Sequence, residues 1–130
     1  MPPAGIVVRD AHFPGRAGID AYGNGGFRFA GMSHRGDLLC LPSGIYGWKA
    51  PAAEALDEVA LAKVFAESDA IEILLIGTGV DLVPLSSLLR LRLREVAIGA
   101  EVMATGSAVR TFNVLLADER AVAAALIAVD

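Results

Sequence analysis

Ile71-Glu72-Ile73-Leu74-Leu75-Ile76-Gly77-Thr78-Gly79 and Ile98-Gly99-Ala100-Glu101-Val102-Met103-Ala104-Thr105-Gly106-Ser107 are the stretches whose reading decides the fold. Each is a run of strand-forming, largely apolar residues that ends in a loop of small residues and leads into a helical segment. After the first, Leu88-Leu89-Arg90-Leu91-Arg92-Leu93-Arg94 alternates locally, as a strand does. Leu and Arg are nevertheless good helix formers, and Ser86 or Ser87 after Pro84 supplies an N-cap, so a helix is predicted. After the second, Ala108-Val109-Arg110-Thr111-Phe112-Asn113 continues as a helix. The order strand, helix, strand, helix, strand implies parallel pairing with crossover helices. For the last segment, Val122 to Val129, Ala-rich composition favours helix while short length after Asp118-Glu119-Arg120 allows a strand.

Upstream the chain changes character. Ten of the fourteen glycines precede residue 48. They separate short segments, Ile19–Tyr22, Gly26–Ala30 and Asp37–Leu41, in which Phe27 and Phe29 alternate with Arg28 as in a half-buried strand. Tyr22-Gly23-Asn24-Gly25-Gly26 and His34-Arg35-Gly36-Asp37 are turn signals, and a small antiparallel meander is predicted. Ile45-Tyr46-Gly47-Trp48 is expected to be a connector, and the stretch after Pro51 a helix with Leu56, Val59, Leu61, Val64 and Phe65 largely on one face.

A chain of 130 residues that is 55 % hydrophobic makes one domain, 1–130, with residues 1–18 an irregular N-terminal extension. The net charge of −4 divides into +2 for residues 1–50 and −6 for the rest, which is not the footprint of a nucleic-acid binder. Met1 to Pro14 has no long apolar core of a signal peptide, and no apolar stretch reaches the ~18 residues of a membrane span. With Cys40 as the single cysteine, no intrachain disulfide can form; a cytoplasmic protein is expected. Cys40 lies in an apolar run and is read as core.

The two small-residue loops carry what chemistry the chain offers. Gly77, Thr78 and Gly79 could cradle an anion with backbone N–H groups and a hydroxyl, or could simply be a turn that needs glycine. They match neither a dinucleotide fingerprint nor a Walker A loop. Thr105, Gly106 and Ser107 open a helix, where Thr105 or Ser107 could serve as the cap and free N–H groups point outward. Arg110 lies one turn beyond Ser107 and adds a guanidinium for carboxylate or phosphate, unless Asp81 or Glu101 pairs with it. Asn113 extends the same face. His12 and His34 have no metal-ligand spacing to Cys40, and no catalytic triad can be assembled. Asp57/Glu58 and Asp118/Glu119 read as solvated carboxylates, and Arg90, Arg92 and Arg94 as a solvated basic cluster or a surface for an acidic protein. No cofactor is implied.

Leu75-Ile76-Gly77-Thr78-Gly79, Gly99 to Met103, Thr105-Gly106 and Arg110 to Leu115, in that order, resemble the signature of the Mth938-like family. Phe27 to Ser43, Ile45 to Trp48 and Val122 to Ile127 are also similar to it, so the resemblance covers about residues 19–129. It implies a three-layer α/β fold with a mixed central sheet and a small antiparallel β part from the N-terminal region, and a strand for the tail. Two departures are Ala104, where many members have Asp, and Val109, near which many have Cys; an activity resting on those residues would be absent here.

The family includes a mitochondrial factor that assists assembly of respiratory complex I, while its bacterial members have no established activity. The resemblance therefore implies a non-enzymatic protein-binding or assembly-factor-like module, with a protein partner and an exposed patch expected around Ile45, Tyr46 and Trp48. The alternative is a small-anion-binding protein or enzyme using residues 77–79 and 105–110. A homodimer through the β part is a further expectation.

Overall fold

The computed structural model describes residues 13–130. A three-stranded antiparallel sheet is built from β1 (Ala21–Gly23), β2 (Gly26–Phe29) and β3 (Met32–Arg35). The main sheet contains β4 (Asp37–Leu41), β5 (Gly44–Trp48), β6 (Ile73–Gly77), β7 (Gly99–Met103) and β8 (Val122–Leu126). Its order is β5-β4-β8-β6-β7. β6 pairs in parallel with both β7 and β8, whereas β4 is antiparallel to β5 and β8, so the sheet is mixed. Helix α1 (Ala62–Ala66) precedes β6, α2 (Ser87–Glu95) links β6 to β7, and α3 (Thr105–Ala117) links β7 to β8.

Side-chain alternation along the central strands produces two cores. Leu74 and Ile76 of β6, Ala123 and Ala125 of β8, and Leu39 and Leu41 of β4 face one side, against Leu61, Val64, Leu89 and Leu93. Leu75, Val122, Ala124, Leu126, Leu38 and Cys40 face the other, against Ala108, Val109 and Phe112 of α3 and Phe27 and Phe29 of β2. Period-2 alternation thus feeds both helix layers from one sheet. The small sheet packs on the α3 side, which makes the third layer. β8 is buried along its whole length, and this resolves the tail. A central strand with Ala123, Ala124 and Ala125 is a case where burial between two layers overrides helix propensity.

The N-cap of α2 is Ser86, whose hydroxyl accepts from the Leu89 amide at 3.1 Å. Other expectations are corrected. Residues 52–67 are not one helix: a 3-10 turn at Ala53–Ala55, an extended Leu56 and the short α1 replace it. The Asp57 carboxylate accepts from the Ala60 amide at 2.9 Å, so a side chain closes a local turn in competition with the helix ladder. Leu56, Leu61 and Val64 are still buried, but Val59 is 81 % exposed. Ile45 to Trp48 is no connector; it lies in β5. His34 and Arg35 end β3 rather than forming the turn, which falls at Gly36 with φ +102°. Asp37–Leu41 joins the main sheet, not the meander. Of the 1–18 extension and the residues before Pro14, positions 1–12, including His12, lie outside the described residues.

Candidate functional site

The loops after β6 and β7 meet at the C-terminal edge of the sheet, next to the chain leaving β8. Open α/β sheets place ligands in such a crevice. Here the crevice is bonded shut from within. Thr105, fully buried, donates its hydroxyl to the Ile127 carbonyl at 2.6 Å and accepts from the Gly79 amide at 2.9 Å. Its own amide donates to the Gly79 carbonyl at 2.8 Å. Thr78 is also buried: its hydroxyl donates to the Asp81 carbonyl at 2.6 Å and accepts from the Val83 amide at 3.0 Å. Gly77 is needed for close approach, since a Cβ there would lie 2.9 Å from the Thr105 Cα. Gly79 takes φ +103°, where a side chain would be strained.

Asn113 is occupied as well. Its Oδ1 accepts from the Ile19 amide and its Nδ2 donates to the Ile19 carbonyl, both at 2.8 Å, pinning the segment before β1 to α3. Of the eight residues singled out in sequence, Thr78, Thr105 and Asn113 therefore direct their polar atoms at the chain itself. The expectation that Thr105 or Ser107 caps α3 is corrected, because the N-cap is Ala104 and no side chain caps it.

Gly79, Gly106, Ser107 and Arg110 do converge, on the solvent side. With Tyr22, Val80, Ala104, Val129 and Asp130 they line an open concavity of about 300 Å³. The amides of Gly106 and Ser107, in the first turn of α3, have no intrahelical acceptor. The Arg110 guanidinium donates to the Ser107 hydroxyl at 3.4 Å, and among the described residues no carboxylate lies within 4 Å of it, Asp81 and Glu101 included. Tyr22 is a lining residue that the sequence did not point to. Its hydroxyl sits over Gly106, where a Cβ would come within 2.3 Å, and only the folding of the small sheet against α3 brings them together.

The remaining candidates sort by burial. Cys40 is buried, and desolvation pushes its thiol up to about 12, so it is core and not a nucleophile at neutral pH. Among the described residues, no three His, Cys, Asp or Glu side chains gather to hold a metal ion. The Asp37 carboxylate ties the Ala50 and Ala128 amides at 3.0 and 2.8 Å. The expected patch at Ile45, Tyr46 and Trp48 is met only in part: Ile45 is buried, while Tyr46 and Trp48 are half-buried, Trp48 donating to the Ala60 carbonyl at 3.0 Å and Tyr46 lying under Lys63. The apolar surface is elsewhere. Val59 and Leu88, 81 % and 63 % exposed, line a groove of about 220 Å³ with Leu89, beside Glu58 and Arg92. Arg92 bridges Glu58 at 3.4 Å and Glu95 at 3.0 Å.

A similar architecture occurs in solved structures. A crystal structure described as that of an outer membrane protein from Bartonella henselae is 60 % identical and superposes with a TM-score of 0.87 over 92 % of this chain and 100 % of that one. A Mth938-like domain of Bordetella pertussis, 23 % identical, shares the fold with a TM-score of 0.75 over 86 % of this chain and 85 % of its own. Among protein relatives, an uncharacterised protein of Rhodobacter capsulatus is 38 % identical over 94 % of this chain and 93 % of its own length. The mouse NADH dehydrogenase (ubiquinone) 1 alpha subcomplex assembly factor 3 is 30 % identical over 94 % of this chain, which spans 66 % of the mouse protein. Residues 19–127 match the family model described as "Protein of unknown function (DUF498/DUF598)", and the chain belongs to that family, with the Mth938-like fold.

Proposed function

We propose that this chain is a protein-binding module of the assembly-factor kind, not a catalyst. The observation that carries this reading is the apolar groove formed by Val59 and Leu88, two large side chains left in solvent beside the paired charges of Glu58 and Arg92. Leu91, also exposed, lies one helical turn from Leu88 and extends the strip. Apolar anchors ringed by polar side chains are the usual anatomy of a protein contact. The kinship with a complex I assembly factor supports the same class of role. Placement in the cytoplasm belongs to this proposal and rests on the single, reduced-compatible cysteine; among the described residues no helix is long and apolar enough to cross a membrane. Cell fractionation tests it, and the membrane description of the Bartonella relative names the competing outcome.

The test is crosslinking in cells with the wild type, Val59→Asp and Leu88→Asp. Neither substitution should shift the unfolding free energy by more than about 0.5 kcal/mol, since both sites face solvent. A crosslinked protein lost in both variants supports the reading. Crosslinks unchanged by either variant, or none at all, defeat it.

A second reading has an observation of its own. Arg110 stands over the first turn of α3 with no carboxylate within 4 Å among the described residues, in the concavity shared with Gly106 and Ser107. That arrangement would suit a small anion. Thermal unfolding against phosphorylated and carboxylate metabolites tests it, because a ligand at a hundred times its Kd stabilises by about 2.7 kcal/mol. A shift that disappears in Arg110→Ala would favour this reading over the first.

A further inference from the structure

The two edges of the main sheet are treated differently. Along β5, the backbone of Phe13 pairs with Ile45, the Ile45 amide donating to the Phe13 carbonyl at 2.9 Å, so that edge is partly covered. Along β7, nothing among the described residues pairs. In the parallel ladder the Gly99 amide donates to the Glu72 carbonyl at 2.9 Å, and the Met103 carbonyl accepts from the Thr78 amide at 3.0 Å. Because alternate residues of a parallel strand bond to the same neighbour, Gly99, Glu101 and Met103 turn inward to β6. Ala100 and Val102 therefore direct their N–H and C=O groups outward.

A concavity of about 360 Å³ lies at the start of this edge, lined by Leu93, Ile98 and Ala100 and by the guanidinium-bearing Arg90 and Arg94. Arg90 and Arg94 are one turn apart on α2. Among the described residues neither has a carboxylate within 4 Å, whereas Arg92 between them has two. On the opposite face of β7, Glu101 is exposed.

We propose that the β7 edge accepts an extended, acidic segment of a partner protein as a sixth strand. This rests on the protein-binding reading and names a second contact and its chemistry. Backbone bonds to Ala100 and Val102 would hold the segment, as in strand addition generally. Carboxylates at alternate positions of the segment, about 7 Å apart, match two guanidinium groups one helical turn apart. The position between them falls on the other face, beside Glu101, and suits Lys or Arg. A second copy of this chain fits poorly in the two-fold register that bonds Ala100 of each copy to Val102 of the other. In a two-fold antiparallel pairing of β7 centred on residue 101, Glu101 of one copy would stand directly opposite Glu101 of the other, a like-charge cross-strand pair.

The experiment is an amide NMR titration of the whole protein with the synthetic peptide Thr-Glu-Lys-Glu-Val-Thr at millimolar concentration, a regime in which weak binding is still visible. The expected result is a saturable shift of the Ala100 and Val102 amides. A peptide with Gln in place of both Glu residues, and the Arg90→Ala/Arg94→Ala protein with the original peptide, should each bind about tenfold more weakly or not at all. Val102→Pro, which removes one outward N–H at an edge position where proline is tolerated, should also abolish the shift. If that variant does not fold, the double arginine variant decides alone. No shift at the edge, equal binding of the Gln peptide, or sedimentation as a dimer whose contact is β7 would each overturn the proposal. Because the titration needs no cellular partner, its failure alongside Leu88-dependent crosslinks would remove the edge contact and leave the module reading intact.

Discussion

The loops at the C-terminal edge of the sheet have an inner side and an outer side, and the same kinds of residue behave oppositely on the two. On the inner side, the hydroxyls of Thr78 and Thr105 each accept from a backbone amide and donate to backbone carbonyls of the surrounding segments, Thr78 reaching Met103 at 3.3 Å as well as Asp81. On the outer side, among the described residues, the side chains of Ser107 and Arg110 hydrogen-bond only to each other, at 3.4 Å, facing solvent. What separates the pairs is where orphan backbone groups fall. The β6 loop and the chain after β8 arrive with amides and carbonyls that strand pairing cannot use, and a buried group of that kind must be satisfied by something. The threonines do it. A site that resembles a ligand crevice by topology is in this way spent on holding three segments together.

This contrast can be broken most forcefully at Thr105. Thr105→Val keeps the shape of the side chain but strands the part-buried Gly79 amide and Ile127 carbonyl against a fully buried methyl group, and should cost about 3 kcal/mol. Urea unfolding reads this directly, and Thr105→Ser, which keeps the hydroxyl, should recover most of it. An unchanged midpoint for the valine variant would mean that the inner bonds carry no weight. Thr78→Val should come next, at about 2 kcal/mol, since the bonds to Asp81 and Val83 serve a loop whose neighbours Val80 and Leu82 are already in solvent. Asn113→Ala removes two bonds to Ile19 and should cost about 1–2 kcal/mol. Its sharper sign is local. Amide exchange at Ile19 should speed up while exchange within β6 follows only the global loss of stability.

How far the sequence could foresee this depends on the range of the interaction. β6, β7 and the two crossover helices were legible because each is written in contiguous residues, and Ser86 announced α2 through a bond three residues long. The stretch around Leu56 misled because its apolar spacing is helical, while Asp57 bonds the Ala60 amide and redirects the chain. β5 was missed since Gly44 and Gly47 weaken any strand signal, and only pairing with β4 makes Gly44–Trp48 a strand. The allocation of the site hydroxyls was illegible for the same reason on a larger scale. The partners of Thr105 lie 26 and 22 residues away along the chain, and nothing in Thr105-Gly106-Ser107 says which of two hydroxyls will face them. Tyr22 over Gly106 is more remote still.

The smallest expected effect falls on the outer side and tests the contrast from the other direction. Arg110→Ala removes a side chain that is exposed and makes one long bond to Ser107, so the unfolding free energy should move by less than about 0.5 kcal/mol. The expected direction is a slight rise, because a cation in the second turn of α3 opposes the helix dipole, an effect of about 0.3–1 kcal/mol in the first turn at low salt that fades beyond it. A rise that vanishes in high salt would identify the dipole as its cause, since exposed charges are screened while the inner hydrogen bonds are not. A loss as large as that of Thr105→Val would instead show that Arg110 belongs to the inner framework. The division between a bonded inside and an open outside would then fail at the residue on which it most depends.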